Sequence, residues 1–117
     1  MKITPENPDG WQATADQLLM TMIKDKRQIT YNQLATAAGL TGPHRIHRLT
    51  SWLEQTMAED QKCGRPLRAA VVISKARDGL PASGFFAFAE QLGIQLDKPD
   101  RAAAYQAYLN QLYQTLA

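Results

Sequence analysis

Between Thr30 and Gln61 the chain spells two helices parted by a turn that a helix cannot run through, and this restricts the fold more than any other feature. Thr30 followed by Gln33 is a capping-box pattern, in which each side chain satisfies the other's backbone N–H, so a short helix is expected to start after Thr30. Gly39 is placed to end it, because glycine takes positive φ at the least cost. The next helix is expected to begin near Pro43, whose missing N–H would be unpaired in a first turn anyway, and to run to about Gln61, before the break "KCGRP". At about 100° per residue, Ile46, Leu49, Leu53 and Met57 share one face and are expected to be core. The opposite face carries His44, Arg48, Ser51 and Gln55, with His47 on its shoulder, while Trp52 and Arg45 share a flank.

Around this pair the pattern adds further elements. Residues 1–10, with two prolines and a glycine, read as an irregular lead-in. Trp11, Ala15, Leu18, Leu19 and Met22 keep a helical period up to Ile23, and the Trp11/Leu18/Met22 face is expected to meet Leu49 and its neighbours. "LRAAVVIS" is a β-branched, apolar run of strand type, and the turn-rich loop "KARDGLPASG" after it suggests a small β-hairpin tipped by Lys75 and Arg77. "FFAFAEQLG" fits a short helix with Phe85, Phe88, Ala89 and Leu92 on one face and Gly93 as its stop; a strand with Phe86 and Phe88 alternating is the other option. Phe85 and Phe86 are either core or a stacking platform, with core favoured. Tyr105, Tyr108, Leu109, Leu112 and Leu116 define a last helix within 99–116, and Tyr113 joins the tyrosines expected to pack it over the core. With 117 residues and no internal repeat, this makes one domain, α+β but mostly α. A helix pair with a glycine-containing turn, then a strand and a basic loop, is the layout of a winged helix-turn-helix, here with extra N- and C-terminal helices.

Charge points the same way. Residues 24–77 hold ten Lys/Arg against four acids, a balance of +6, while the segments on either side each come to −2. A basic middle between acidic flanks suits a polyanion, although solvated surface charge accounts for it equally well. Arg45, Arg48, His44, His47, Ser51 and Gln55 are residue types that contact phosphates and base edges, and no acid precedes Glu54 on that helix. His44 and His47 alone are two ligands short of a metal site, so no metal is expected. Ser74 and Ser83 have no base near them in sequence, and no carboxylate pair or phosphate-cradling loop is evident; neither catalysis nor a cofactor is expected. The start of the chain has no apolar run of signal type, no stretch suits a bilayer, and the single Cys63 excludes an internal disulfide, which points to the cytoplasm with no membrane contact.

"ITYNQLATAAGL", "PHRIHRL" and "RPLRAAVVISKARDG" together resemble the DNA-binding domain of the O6-alkylguanine-DNA alkyltransferases and alkyltransferase-like proteins, over residues 12–84. The resemblance implies that Tyr31, Leu34 and Ala35 match the family's first helix. It implies that Arg45 is the arginine that enters the base stack as a base is flipped out, and that Pro66 to Val72 lead to the active site. Where the family has Pro-Cys-His-Arg, this chain has Ile73, Ser74, Lys75 and Ala76. Alkyl transfer needs a thiolate activated by a histidine, so no such activity is expected. The combination of "ITYNQLA", "GRPLRAAVVIS" and "GLPASGFFAFAEQLG" is also similar, over nearly the whole chain, to a group of small uncharacterised bacterial and prophage proteins, some of which carry the module beside nuclease domains. The leading expectation is a non-enzymatic protein that binds double-stranded DNA through Tyr31, His44, Arg45, His47, Arg48, Ser51, Gln55, Lys75 and Arg77. The alternatives are a protein-binding module, such as an immunity protein for a nuclease toxin or a phage-encoded inhibitor of a host defence, and an inactive alkyltransferase relative that senses damaged bases.

Overall fold

The computed structural model describes residues 10–77, 79–96 and 100–116, with the Arg77 side chain left undescribed. Of the expected lead-in, residues 1–9 therefore lie outside the described residues, as does the 99 end of the last helix. The described residues form five α-helices and one two-stranded sheet: α1 (Gly10–Lys24), β1 (Ile29–Thr30), α2 (Tyr31–Ala37), α3 (Arg45–Lys62), β2 (Val72–Ile73), α4 (Ser83–Gln91) and α5 (Arg101–Leu116). The fold is α+β and mostly α.

The helix pair forms as its residues dictate. The Thr30 hydroxyl accepts from the Gln33 N–H at 3.0 Å and Gln33 Oε1 accepts from the Thr30 N–H at 3.1 Å, so the capping box is closed. Gly39, at φ +81°, ends α2, with Leu40 N–H donating to the Ala35 carbonyl and its side chain buried. α3 starts at Arg45, two residues later than Pro43 suggested, because Gly42 and His44 both have positive φ. Gly64, at φ +73°, closes its other end, and Arg65 N–H reaches back to the Asp60 carbonyl at 2.9 Å.

The centre of the molecule is the segment expected to be a strand. Arg68–Val71 is instead a 3₁₀ turn, and only Val72 and Ile73 are extended. Two contacts hold the turn in place: Arg68 N–H donates to Asp60 Oδ2 at 2.9 Å, and the Ala70 carbonyl accepts from the Tyr105 hydroxyl at 2.6 Å. Ala69, Ala70, Val71 and Val72 are all buried, and α1, α3 and α5 each pack on this turn. α1 therefore turns Ala15, Leu19 and Ile23 inward, leaving Trp11, Leu18 and Met22 half-buried. Trp11 still reaches α3, edge to face with Trp52 at 5.7 Å. Phe85 and Phe86 are both buried on α4, as core rather than as a platform.

Among the described residues the expected hairpin does not form. β1 and β2 pair in parallel, Ile29 with Val72 and Thr30 with Ile73, so the partner strand comes from the other side of the helix pair. The arm after Ser74 has its backbone groups committed elsewhere. The Gly79 carbonyl accepts from Gln28, Pro81 has no N–H, and Ala82 N–H donates to the Tyr31 hydroxyl. Ser74 N–H donates to the Leu80 carbonyl at 2.8 Å, which closes the segment as a loop, and Lys75 sits in a short 3₁₀ turn (Lys75–Arg77) rather than on a hairpin tip.

Three tyrosines stitch α5 to the rest. The Tyr105 hydroxyl also accepts from Gln28 Nε2 at 2.7 Å, Tyr108 accepts from Leu67 N–H at 2.7 Å, and Tyr113 donates to the Arg27 carbonyl at 3.1 Å. Burial raises all three hydroxyl pKa values above the ordinary one, Tyr105 most clearly, against the smaller opposing effect of its Gln28 bond. An unfolded chain then loses these protons first. Stability is complete below the ordinary tyrosine value near pH 10 and falls as pH rises from there toward the folded values. Tyr105 contributes at most about 1.4 kcal/mol per pH unit to that fall, and the more exposed Tyr113 less. Urea melts at pH 9 and pH 11 are expected to show the loss, and Tyr105→Phe is expected to make it shallower. An identical pH dependence in the Phe variant would disprove the assignment.

Candidate nucleic-acid interface

The first four turns of α3 present the residues that the sequence singled out. His44, His47, Arg48, Ser51 and Gln55 are all exposed, in one row along the helix. The row faces water because Leu49, Leu53 and Met57 take the opposite side into the core. Ile46 departs from expectation. It is 38 % exposed because it lines a cleft, with Tyr31 and Thr50, instead of the core. The His44 side chain makes no capping hydrogen bond at the start of α3, where the positive end of the helix dipole lies. The entry residue His44 has φ +60°, a conformation non-glycine residues rarely adopt.

The arginines there are tethered. Arg48 Nη1 donates to the Thr41 carbonyl at 3.1 Å, holding the turn while most of the side chain stays exposed. Arg45 is half-buried. Its Nη2 donates to Asn32 Oδ1 in the first turn of α2, and its Nη1 is buried without a partner among the described residues. His44 and His47 gain no third ligand: among the described residues no group of three His, Cys, Asp or Glu is placed to hold a metal.

Beside this end of α3 lies a cleft in two parts that share Tyr31, Thr50 and Ala82. The outer part, about 630 Å³, is bordered by Asn32, Ile46, Ser74 and Lys75. The inner part, about 150 Å³, runs under α4 between Leu53, Met57 and Phe85, with Glu54 at its edge. Tyr31 is fixed in the cleft by the Ala82 N–H at 3.1 Å. Lys75 is exposed and brings positive charge to the outer rim, while the Arg77 side chain lies outside the described residues. Asn32, Ile46 and Thr50 were missed as site residues. Helical periodicity puts Ile46 with the core, and nothing in the local sequence marks Asn32 as the partner of a residue 13 positions away.

Two of the ten basic residues counted for this region belong elsewhere. Arg65 Nε donates to Asp60 Oδ1 at 2.7 Å, and Arg68 Nε lies 3.0 Å from Asp60 Oδ2 with its Nη1 2.5 Å from Asp16. The hydrogen bond and charge of Asp60 raise the Arg65 pKa. Cys63 is exposed at the far end of α3, about 27 Å along an 18-residue helix from Arg45, and cannot serve the cleft. Among the described residues no helix is long and apolar enough to cross a membrane. Comparison with family models, with curated proteins and with solved structures found no match.

Proposed function

We propose that this chain is a small DNA-binding protein of the helix-turn-helix kind, without the hairpin wing that the sequence suggested, acting by binding rather than by catalysis. The observation that carries the reading is the exposed, acid-free row His44, His47, Arg48, Ser51 and Gln55 at the start of α3. Such a row suits a major groove, with phosphate at the helix N-terminus and Lys75 against the backbone nearby. The resemblance to alkyltransferase DNA-binding domains leans the same way. The cleft favours a narrower version, in which an unstacked base lodges beside Tyr31 and is sensed without being modified, since Cys63 lies far away.

The test is duplex binding measured across several salt concentrations. Replacing Arg45 and Arg48 together with alanine is expected to weaken binding and to flatten the log–log salt slope by up to about 2, roughly 0.9 for each phosphate no longer neutralised. A variant that binds like the parent removes α3 as the reading element, and a protein partner recovered by pulldown after nuclease treatment then becomes the better account. A duplex carrying O6-methylguanine, run alongside, decides the narrower version: equal affinity for plain and alkylated DNA excludes it.

A further inference from the structure

We propose that Asn32 is a latch that stows Arg45 against α2, and that opening this contact is a step in binding DNA. The inference rests on the reading of α3 given above and adds a control element to that site.

The stowed state is incomplete. A guanidinium has five N–H donors and is best satisfied by an anion that takes two at once. Here the acceptor is a neutral amide oxygen. It engages Nη2, while Nη1 is buried with no partner among the described residues. The neighbouring His44, His47 and Arg48 are exposed, and Arg45 is the cation of this turn that is folded back. A phosphate at the start of α3 offers both nitrogens what Asn32 offers one. Arg45 therefore has two alternative homes, one within the free protein and one on a polyanion. The apparent affinity for DNA is then reduced by the fraction of molecules in which Arg45 is released.

Two substitutions move that fraction in opposite directions. Asn32→Ala removes the acceptor and is expected to tighten duplex binding roughly 3- to 10-fold, as the released fraction approaches one. Asn32→Asp turns the latch into an ion pair and is expected to weaken binding about 10-fold or more. An aspartate also repels phosphate directly, so both substitutions are repeated with Arg45→Ala. In that background Asn32→Ala should no longer tighten binding and Asn32→Asp should retain only its repulsive part, giving a clear coupling between positions 32 and 45. Equal effects in both backgrounds, or weaker binding on Asn32→Ala with Arg45 present, would overturn the latch. A readout without DNA separates this from failure of the binding reading. The Arg45 Nη2 protons, which Asn32 holds, followed by NMR at low temperature, are expected to exchange with water faster in Asn32→Ala than in the parent. Equal exchange overturns the latch whatever the DNA does, whereas a parent chain that binds no duplex overturns the reading on which the latch depends.

Discussion

Asp60→Ala is expected to cost the fold about 3–5 kcal/mol, the loss typical of breaking a buried ion pair. The Asp60 side chain is 0 % exposed and accepts from Arg65 Nε, from Arg68 Nε with both oxygens and from Arg68 N–H, so its charge is fully used. Arg68 is only 11 % exposed, and it also reaches Asp16 and, at 3.6 Å, Glu59. Truncating Asp60 leaves a largely buried guanidinium short of its main partner and frees the backbone N–H that starts the 3₁₀ turn. Because α1, α3 and α5 all pack on that turn, the damage reaches the whole core. Arg65→Ala should cost far less than Asp60→Ala, since its side chain is 41 % exposed and such pairs are screened. Adding Arg68→Met to Asp60→Ala should recover much of the stability by removing the stranded charge. Urea melts with an unchanged m-value measure all three. A loss below about 1 kcal/mol for Asp60→Ala would show that water reaches the site and that the ion pair does not hold the turn.

Asp60 also marks what could be read in the sequence and what could not. It follows Leu53 and Met57 on the apolar face of α3, and a carboxylate at that spacing is a visible signal of a buried partner. A charge balance cannot use the signal, because it counts Arg65 and Arg68 as surface cations when both are committed to the same acid. Local chemistry was legible: the Thr30–Gln33 box, the Gly39 stop, the "KCGRP" break and the helical reading of "FFAFAEQLG" are all set by neighbours in the chain. What failed were choices made at a distance. "LRAAVVIS" has strand composition, yet Asp60 from α3 and Tyr105 from α5 fix its first half as a 3₁₀ turn. The hairpin failed for the same reason, its second arm being bonded to Gln28 and Tyr31. At the interface, the exposed row of α3 was legible from its period, while the tie between Arg45 and Asn32 depends on how α2 and α3 cross.

Leu49→Ala and Ile46→Ala are expected to separate the fold from the site, though both residues occupy one helical stripe. Leu49 is fully buried, so truncation should cost about 2–5 kcal/mol in transfer and cavity terms. Ile46, one turn earlier, is 38 % exposed and borders the outer cleft with Asn32 and Lys75. Its truncation leaves no closed cavity and should change stability by less than about 0.5 kcal/mol, the range of ordinary surface substitutions. The sign reverses for binding. At equal folded fraction Leu49→Ala should bind duplex as the parent does. Ile46→Ala should bind more weakly, because an apolar side chain held at the rim of the cleft is placed to pack against whatever enters it. A melt and a binding isotherm on each variant are enough to decide. If Ile46→Ala destabilises as much as Leu49→Ala, α3 is packed along its whole length and the cleft is part of the core. If both variants are neutral for binding, the apolar rim plays no part in recognition, and contact is confined to the charged row that begins at His44.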